Sequence, residues 1–153
     1  MAYMALIEQR LEIAAERARV YEVSQDYAVR YQWDPFPERI AFVGALQTVQ
    51  RGARVEVVAR SGLRMEVEFV QVDAPQRAAI RMLKGPLLLK QFAGSWVFSE
   101  LGPQRTQAVF RYNLKVQPWA LPWLLEPLAV WYFRRAVVAR MRGLKNYCEQ
   151  LVN

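Results

Sequence analysis

Hydrophobic and polar residues alternate with a period of two through the middle of the chain, from Arg39 to Gln117. The clearest alternating segment ends just before Gln117, and its apolar-side positions are Thr106, Ala108, Phe110, Tyr112, Leu114 and Val116. Alternation of this kind predicts a strand with one face against a core and the other in water. Turn residues separate the segments at Arg51-Gly52, Ser61-Gly62, Asp73-Ala74-Pro75, Gly85-Pro86 and Gly102-Pro103. The region therefore predicts an antiparallel meander of about six strands.

The segment before this meander predicts one more strand and two short helices. Residues 4–13 are apolar, with charges that alternate toward the end, which is typical of a strand. From Ala14 onward, apolar residues recur three and four positions apart, at Val20, Val23 and Tyr27. Asp26 belongs to a residue type that caps helices, so a second short helix is predicted at 27–32. Pro35 ends the helical region because the residue before a proline is forced out of the helical conformation.

The last third of the chain, 119–151, predicts a long amphipathic helix. Its apolar residues lie at helical spacing, at Val130, Val137, Val138, Met141, Leu144, Cys148 and Leu151. Arg134 interrupts this stripe one turn before Val137. Strands without intervening helices argue against a parallel sheet, so the predicted fold class is α+β. We expect the curved sheet to wrap the long helix, with the functional site between them, in one domain over 1–153 because no linker or repeat divides the chain.

The amino-acid composition indicates an internal cavity and limits the kinds of partner that the protein is expected to bind. The chain has 54% hydrophobic residues and 12% aromatic residues, more than a simple core needs, and the surplus is available to line a cavity. The formal net charge of +7 is dispersed, without a basic stripe interleaved with aromatic residues, so no nucleic acid is expected as a partner. The first eleven residues lack a signal-peptide layout, and the apolar run 118–133 is short and broken by prolines. With its lone Cys148, the sequence predicts a cytoplasmic location.

Several kinds of chemistry have no support in the sequence. The chain has no histidine and one cysteine, so histidine-based triads and the common metal sites are not expected. Neither a glycine-rich dinucleotide motif nor a P-loop occurs. We therefore expect no cofactor and no metal, and any catalytic group must be Arg, Tyr, Trp, Asp or Glu.

Short motifs in a fixed order resemble the START-like (SRPBCC) superfamily. The opening segment 20–27 (VYEVSQDY) and the turn Trp33-Asp34-Pro35-Phe36 are similar to the start of its polyketide cyclase/dehydrase and coenzyme Q-binding branches. Segments 92–98 (FAGSWVF) and 110–114 (FRYNL) resemble the strands before the final helix. The resemblance implies a helix-grip fold, in which a curved antiparallel sheet surrounds a long C-terminal helix and a hydrophobic cavity lies between them.

The candidate site residues follow from this arrangement. Arg134 on the buried stripe needs a partner or a cavity, and there it could meet a carboxylate, phosphate or phenolate, unless it reaches past the helix edge to water. Tyr112 faces inward and needs a partner for its hydroxyl, and Gln71 and Tyr27 are weaker cases of the same kind. Trp33 and Phe36 are expected at the cavity mouth, with packing on the sheet as the alternative. The predicted apolar walls are Trp96, Phe98, Phe92, Phe110, Met65, Phe69, Ile80, Met82, Val130, Val137, Val138 and Met141, with core packing as the alternative.

Three functions remain open at this point. The first is a non-catalytic carrier of a small hydrophobic ligand such as a lipid, an isoprenoid quinone or an aromatic polyketide. The second is a cyclase, aromatase or dehydratase that uses Arg134 and Tyr112, which the absence of histidine disfavours. The third is peripheral contact with an anionic membrane through the apolar run 119–128 beside Arg134 and Arg135. The oligomeric state is left open.

Overall fold

The computed structural model describes residues 4–152 and contains one seven-stranded antiparallel sheet and three α-helices. Strand β1 (Ala5–Ile13) is followed by helices α1 (Arg17–Gln25) and α2 (Tyr27–Trp33). The remaining strands are β2 (Pro37–Val43), β3 (Arg54–Ala59), β4 (Arg64–Asp73), β5 (Arg77–Lys84), β6 (Leu89–Gly102) and β7 (Arg105–Val116). A short 3-10 turn (Pro118–Ala120) then leads into helix α3 (Pro122–Val152). This architecture confirms the predicted α+β fold.

The sheet order is β1-β7-β6-β5-β4-β3-β2, so the first strand closes one edge beside the last strand. Each of the other neighbouring strands is also a neighbour in sequence, as a meander requires. The alternation predicted for β7 is present, since Phe110, Tyr112 and Leu114 are all buried. Asp26 caps α2 by accepting a hydrogen bond from the backbone N–H of Ala28 at 2.9 Å.

Helix α3 lies across one side of the sheet, where it packs mainly on β1 and β7. The fully buried positions of its apolar stripe are Phe133, Val137, Met141, Leu144 and Cys148. Because the helix packs mainly on β1 and β7, it does not fill the space in front of the inner faces of β3 to β6. That space is the cavity described below.

Candidate functional site

A cavity of about 100 Å³ lies between the sheet and α3. Its walls are mostly apolar and aromatic, as is usual for small-molecule sites. Helix α2, the turn after it, the strands β2 to β7 and α3 all contribute to the lining. The interior is therefore not packed solid.

The structure places many of the predicted site residues on this cavity. They are Tyr27, Phe36, Met65, Phe69, Ile80, Phe92, Trp96, Phe110 and Tyr112. Other predicted residues lie elsewhere: Phe98, Val137, Met141 and Trp33 are buried in the surrounding core, and Met82, Val130 and Val138 are half-buried beside it. Trp33 packs edge-on against Trp96 with 6.3 Å between ring centroids, so it lies behind the wall and not at a mouth.

The expectation that Arg134 faces the cavity is wrong, because its side chain is exposed. The buried arginine of α3 is Arg140, which lines the cavity and is 7% exposed. On an ideal helix, Arg134 and Arg140 lie about 60° to either side of Val137. Periodicity alone therefore treats both as edge positions of the stripe. The turn after α2 covers only the Arg140 side, and this tertiary contact decides which of them is buried.

Gln71 is also exposed, contrary to the expected inward orientation, and donates a hydrogen bond to Asp73 at 2.8 Å. The cause is an irregularity in the pairing of β4 with β5. Phe69 pairs with Ile80, but Gln71 pairs with Ala79, so one extra residue is accommodated on β4. An inserted residue reverses the alternation beyond it, which turns Gln71 outward.

A buried cluster of charges forms the polar end of the cavity. Asp34 follows α2 and is 1% exposed, and its Oδ2 accepts hydrogen bonds from Arg30 Nε at 2.7 Å and Arg140 Nε at 3.1 Å. Arg30 is 7% exposed and also donates through Nη1 to the carbonyl of Ser24 at 2.8 Å. Asp34 Oδ1 accepts the backbone N–H of Phe36 at 3.0 Å, which holds the carboxylate in place.

Tyr112 extends this cluster toward the cavity. Its hydroxyl accepts a hydrogen bond from Arg140 Nη1. Among residues 4–152 no acceptor is present for the proton of that hydroxyl, and none for Nη2 of Arg140. The cavity is therefore bordered by two polar groups that retain the capacity to donate to a bound molecule.

The charges of the cluster do not cancel. Burial by itself would raise the pKa of Asp34, but the attraction of Arg140 and Arg30 and the hydrogen bonds to the carboxylate outweigh it and lower that pKa. Burial likewise opposes the charged form of Arg140, and Asp34 and Tyr112 overcome it, so the pKa of Arg140 is raised. Burial raises the pKa of Tyr112, which stays protonated at neutral pH. Two guanidinium groups thus share one carboxylate.

The sequence contained a usable signal for part of this cluster. Arg30 and Asp34 are separated by four positions, the spacing at which opposite charges meet on a helix. Arg140 had no such local partner, since Asp34 is 106 positions away. All three charged residues went unrecognised as site residues in the sequence, although only Arg140 lacked a local signal.

Gly94 of β6 provides room for the ring of Tyr112. A Cβ atom at Gly94 would lie 2.9 Å from Cε1 and 3.0 Å from Cδ1 of that ring. We expect Gly94→Ala to lower the free energy of unfolding by about 1–3 kcal/mol, as overpacking of a core does. Urea unfolding measures this, with Gly102→Ala on the same strand as the matched control. At Gly102 an added Cβ meets its nearest atom at 3.9 Å, so equal losses in the two variants would contradict the prediction.

Solved structures share this architecture. An aromatase/cyclase from a Streptomyces species superposes with a TM-score of 0.80 at 21% sequence identity, covering 99% of this chain and 97% of that one. A norcoclaurine synthase point mutant from Thalictrum flavum gives 0.78 at 15% identity, covering 100% and 99%. A START superfamily protein from Mycobacterium smegmatis gives 0.77 at 15% identity, covering 95% and 98%. At these identities the likeness concerns the fold.

The sheet, the long C-terminal helix and the cavity between them form the START-like helix-grip fold, as the motifs predicted. The chain belongs to the polyketide cyclase/dehydrase and lipid transport family, whose model matches residues 4–149. No curated protein sequence matches it. Within 4–152 there is no cluster of side chains suited to a metal ion. None of the helices between residues 4 and 152 has the length and hydrophobicity that a membrane span requires.

Proposed function

We propose that the cavity binds a small, mostly apolar aromatic molecule that carries an anionic or acidic oxygen. The observation that carries this proposal is the excess positive charge of the Arg30–Asp34–Arg140 cluster at the end of an apolar cavity. The family's association with polyketide cyclisation and lipid transport is consistent with a hydrophobic ligand.

Charge balance supports an acidic oxygen on the ligand. A buried charge is costly unless it is paired and hydrogen-bonded. Asp34 is the carboxylate that pairs with Arg30 and Arg140 among residues 4–152, and no acidic residue of this range lines the cavity. A carboxylate, phenolate or enolate would supply the missing negative charge and accept from Arg140 and Tyr112.

The size of the cavity favours an aromatic ring over a long chain. A cavity of about 100 Å³ is smaller than the roughly 150 Å³ engineered cavity that accommodates benzene. An acyl chain or the tail of an isoprenoid quinone would need extensive movement of the walls, whereas a ring requires a small adjustment. The rings of Phe92, Trp96 and Phe110 offer the edge and face contacts that aromatic ligands prefer.

The test uses two probes that share a methyl-substituted benzene ring and differ in charge, 4-methylbenzoate and 1,4-dimethylbenzene, titrated by protein NMR. We expect Arg140→Met to weaken 4-methylbenzoate binding by roughly 10- to 100-fold, the equivalent of one or two lost hydrogen bonds to a charged group. Binding of 1,4-dimethylbenzene should change by less than about twofold, since apolar burial is retained. Arg140→Met leaves Asp34 paired with Arg30, so the cluster becomes neutral and we expect the variant to fold.

Arg142→Met is the matched control, because Arg142 is an exposed arginine on the same helix. It should leave the affinity for both probes unchanged. The proposal fails if Arg140→Met weakens the two probes equally, or if it leaves the affinity for 4-methylbenzoate at the wild-type value.

A second candidate is catalysis of the cyclase or aromatase type, favoured by the contact between Tyr112 and Arg140. These groups would polarise a carbonyl and stabilise an enolate. A general base is harder to assign, because the two arginines keep Asp34 charged and occupied and burial keeps Tyr112 protonated. If the enzyme hypothesis is right, Arg140→Met and Tyr112→Phe will slow turnover of a poly-β-ketone. Unchanged turnover in both variants would show that Arg140 and Tyr112 do not take part in the reaction.

A further inference from the structure

One end of the molecule carries a dense group of exposed apolar side chains, here called the apolar tip. Its most exposed members are Leu87 at 83%, Trp123 at 75% and Trp119 at 65%. The complete group is Leu87, Leu88, Trp119, Leu121, Trp123, Leu124, Leu128 and Trp131. Such clusters on monomeric proteins mark sites of protein or membrane interaction.

The tip is continuous although it comes from two parts of the chain. The loop between β5 and β6 supplies two leucines, and the segment from the 3-10 turn into α3 supplies the rest. The backbone N–H of Gln117 donates to the carbonyl of Leu88 at 2.8 Å and holds the two parts together. The apolar side chains therefore occupy one common end of the fold.

Basic residues surround this tip. The exposed ones next to it in sequence are Lys84, Lys90, Arg134 and Arg135. Arg60 and Arg64 are also exposed and lie at the β3–β4 turn, which is beside the β5–β6 loop. No ion pair involves any of them within residues 4–152. Glu126 is the one acidic residue between Gln117 and Arg135. The Arg135 guanidinium lies 5.0 Å from the centroid of the Trp131 ring, so apolar and basic groups are in direct contact.

We propose that the apolar tip docks the protein onto the surface of an anionic lipid bilayer. Tryptophan and leucine insert into the boundary between head groups and acyl chains, where tryptophan in particular is enriched. The surrounding lysines and arginines match the negative potential of such a surface. This combination of exposed tryptophans and unpaired cations favours a bilayer over a second copy of this chain, whose tip would carry the same positive charge.

The position of the tip also suits access to the cavity. An open groove of about 780 Å³ lies between the β3–β4 turn, the β5–β6 loop and α3, and Leu87, Leu88 and Leu128 of the tip line it. Leu63 and Phe133 line both this groove and the inner cavity. Docking would thus bring the groove next to the bilayer. The proposed docking is separate from the proposed ligand and does not depend on it.

The experiment is co-sedimentation of the full chain with phosphatidylcholine vesicles that contain or lack phosphatidylglycerol, at low and high salt. We expect binding to vesicles with phosphatidylglycerol and weaker binding at high salt, because ions screen the basic rim. The double variant Trp119→Ala/Trp123→Ala should lose at least about tenfold in apparent affinity. Arg134→Glu/Arg135→Glu should reduce binding to the anionic vesicles specifically.

Leu101→Ala is the matched control, since Leu101 is 44% exposed at the opposite end of β6. It should bind like the wild type, and so should Arg140→Met, which separates this inference from the proposed ligand site. The inference is overturned if the wild type stays in the supernatant with anionic vesicles, or if the tryptophan variant sediments as the wild type does. Sedimentation velocity would also overturn the inference if it showed a wild-type dimer that dissociates in the tryptophan variant, because the tip would then be a dimer interface.

Discussion

Replacing Gly143 by alanine is expected to destabilise the protein by about 3 kcal/mol or more, although alanine is the better helix former. Gly143 lies in α3, where it faces the end of α2. A Cβ atom there would lie 1.9 Å from the carbonyl oxygen of Trp33 and 3.1 Å from its carbonyl carbon. The carbonyl group of Trp33 belongs to the backbone, so it cannot rotate away as the end of a side chain could. Either α3 or the turn after α2 must move, and both carry members of the charged cluster.

Urea unfolding measures the change, with Asn146→Ala as the comparison. Asn146 is an exposed residue on the same helix, and intrinsic propensity predicts that alanine there is neutral or stabilising by up to about 0.7 kcal/mol. We therefore expect Gly143→Ala to lower the free energy of unfolding and Asn146→Ala to leave it unchanged or raise it. If Gly143→Ala also stabilises the fold, then α3 does not approach the Trp33 carbonyl as closely as described.

The second large effect is expected for Asp34→Asn, which should cost about 3–5 kcal/mol of stability. The substitution leaves Arg30 and Arg140 buried beside each other without a counter-charge. The double variant Asp34→Asn/Arg140→Met removes one of the two positive charges as well. It should therefore lose less stability than the sum of the two single variants, which a double-mutant cycle measures. Strict additivity would show that the three charges do not act as a unit.

The same carboxylate contributes to acid sensitivity. The pKa of Asp34 is lowered from its usual 3.8 in the folded protein, so its stabilisation is fully present above that value and is lost as the pH falls toward the folded-state pKa. The partly exposed Glu8, Glu12 and Glu149 also have lowered pKa values and act in both proteins. Below about pH 4 the stability of the wild type should therefore fall more steeply than that of Asp34→Asn. If the stability of the two proteins fell with pH at the same rate, Asp34 would not contribute to the acid sensitivity.

The sequence alone determined the order and type of the elements, because each depends on local patterns. Alternation identified the strands of the meander, glycine and proline pairs identified the turns, and Asp26 identified the start of α2. Helical spacing identified α3, although its first turn begins at Pro122 and not at Trp119. The resemblance to the START-like superfamily, carried by short motifs in the right order, named the fold that the structure and the family match confirm.

Only the tertiary structure decided the polar end of the cavity. Arg134 and Arg140 are equivalent on the helix stripe, and the turn carrying Asp34 lies against one of them. Likewise, an inserted residue in β4 turned Gln71 outward, and nothing in its own alternation reveals this. Periodicity reports which residues share a face of one element. Which groups face each other across the core depends on how α3 crosses the sheet and where the turn after α2 lies, and those positions are set by contacts between residues far apart in the chain.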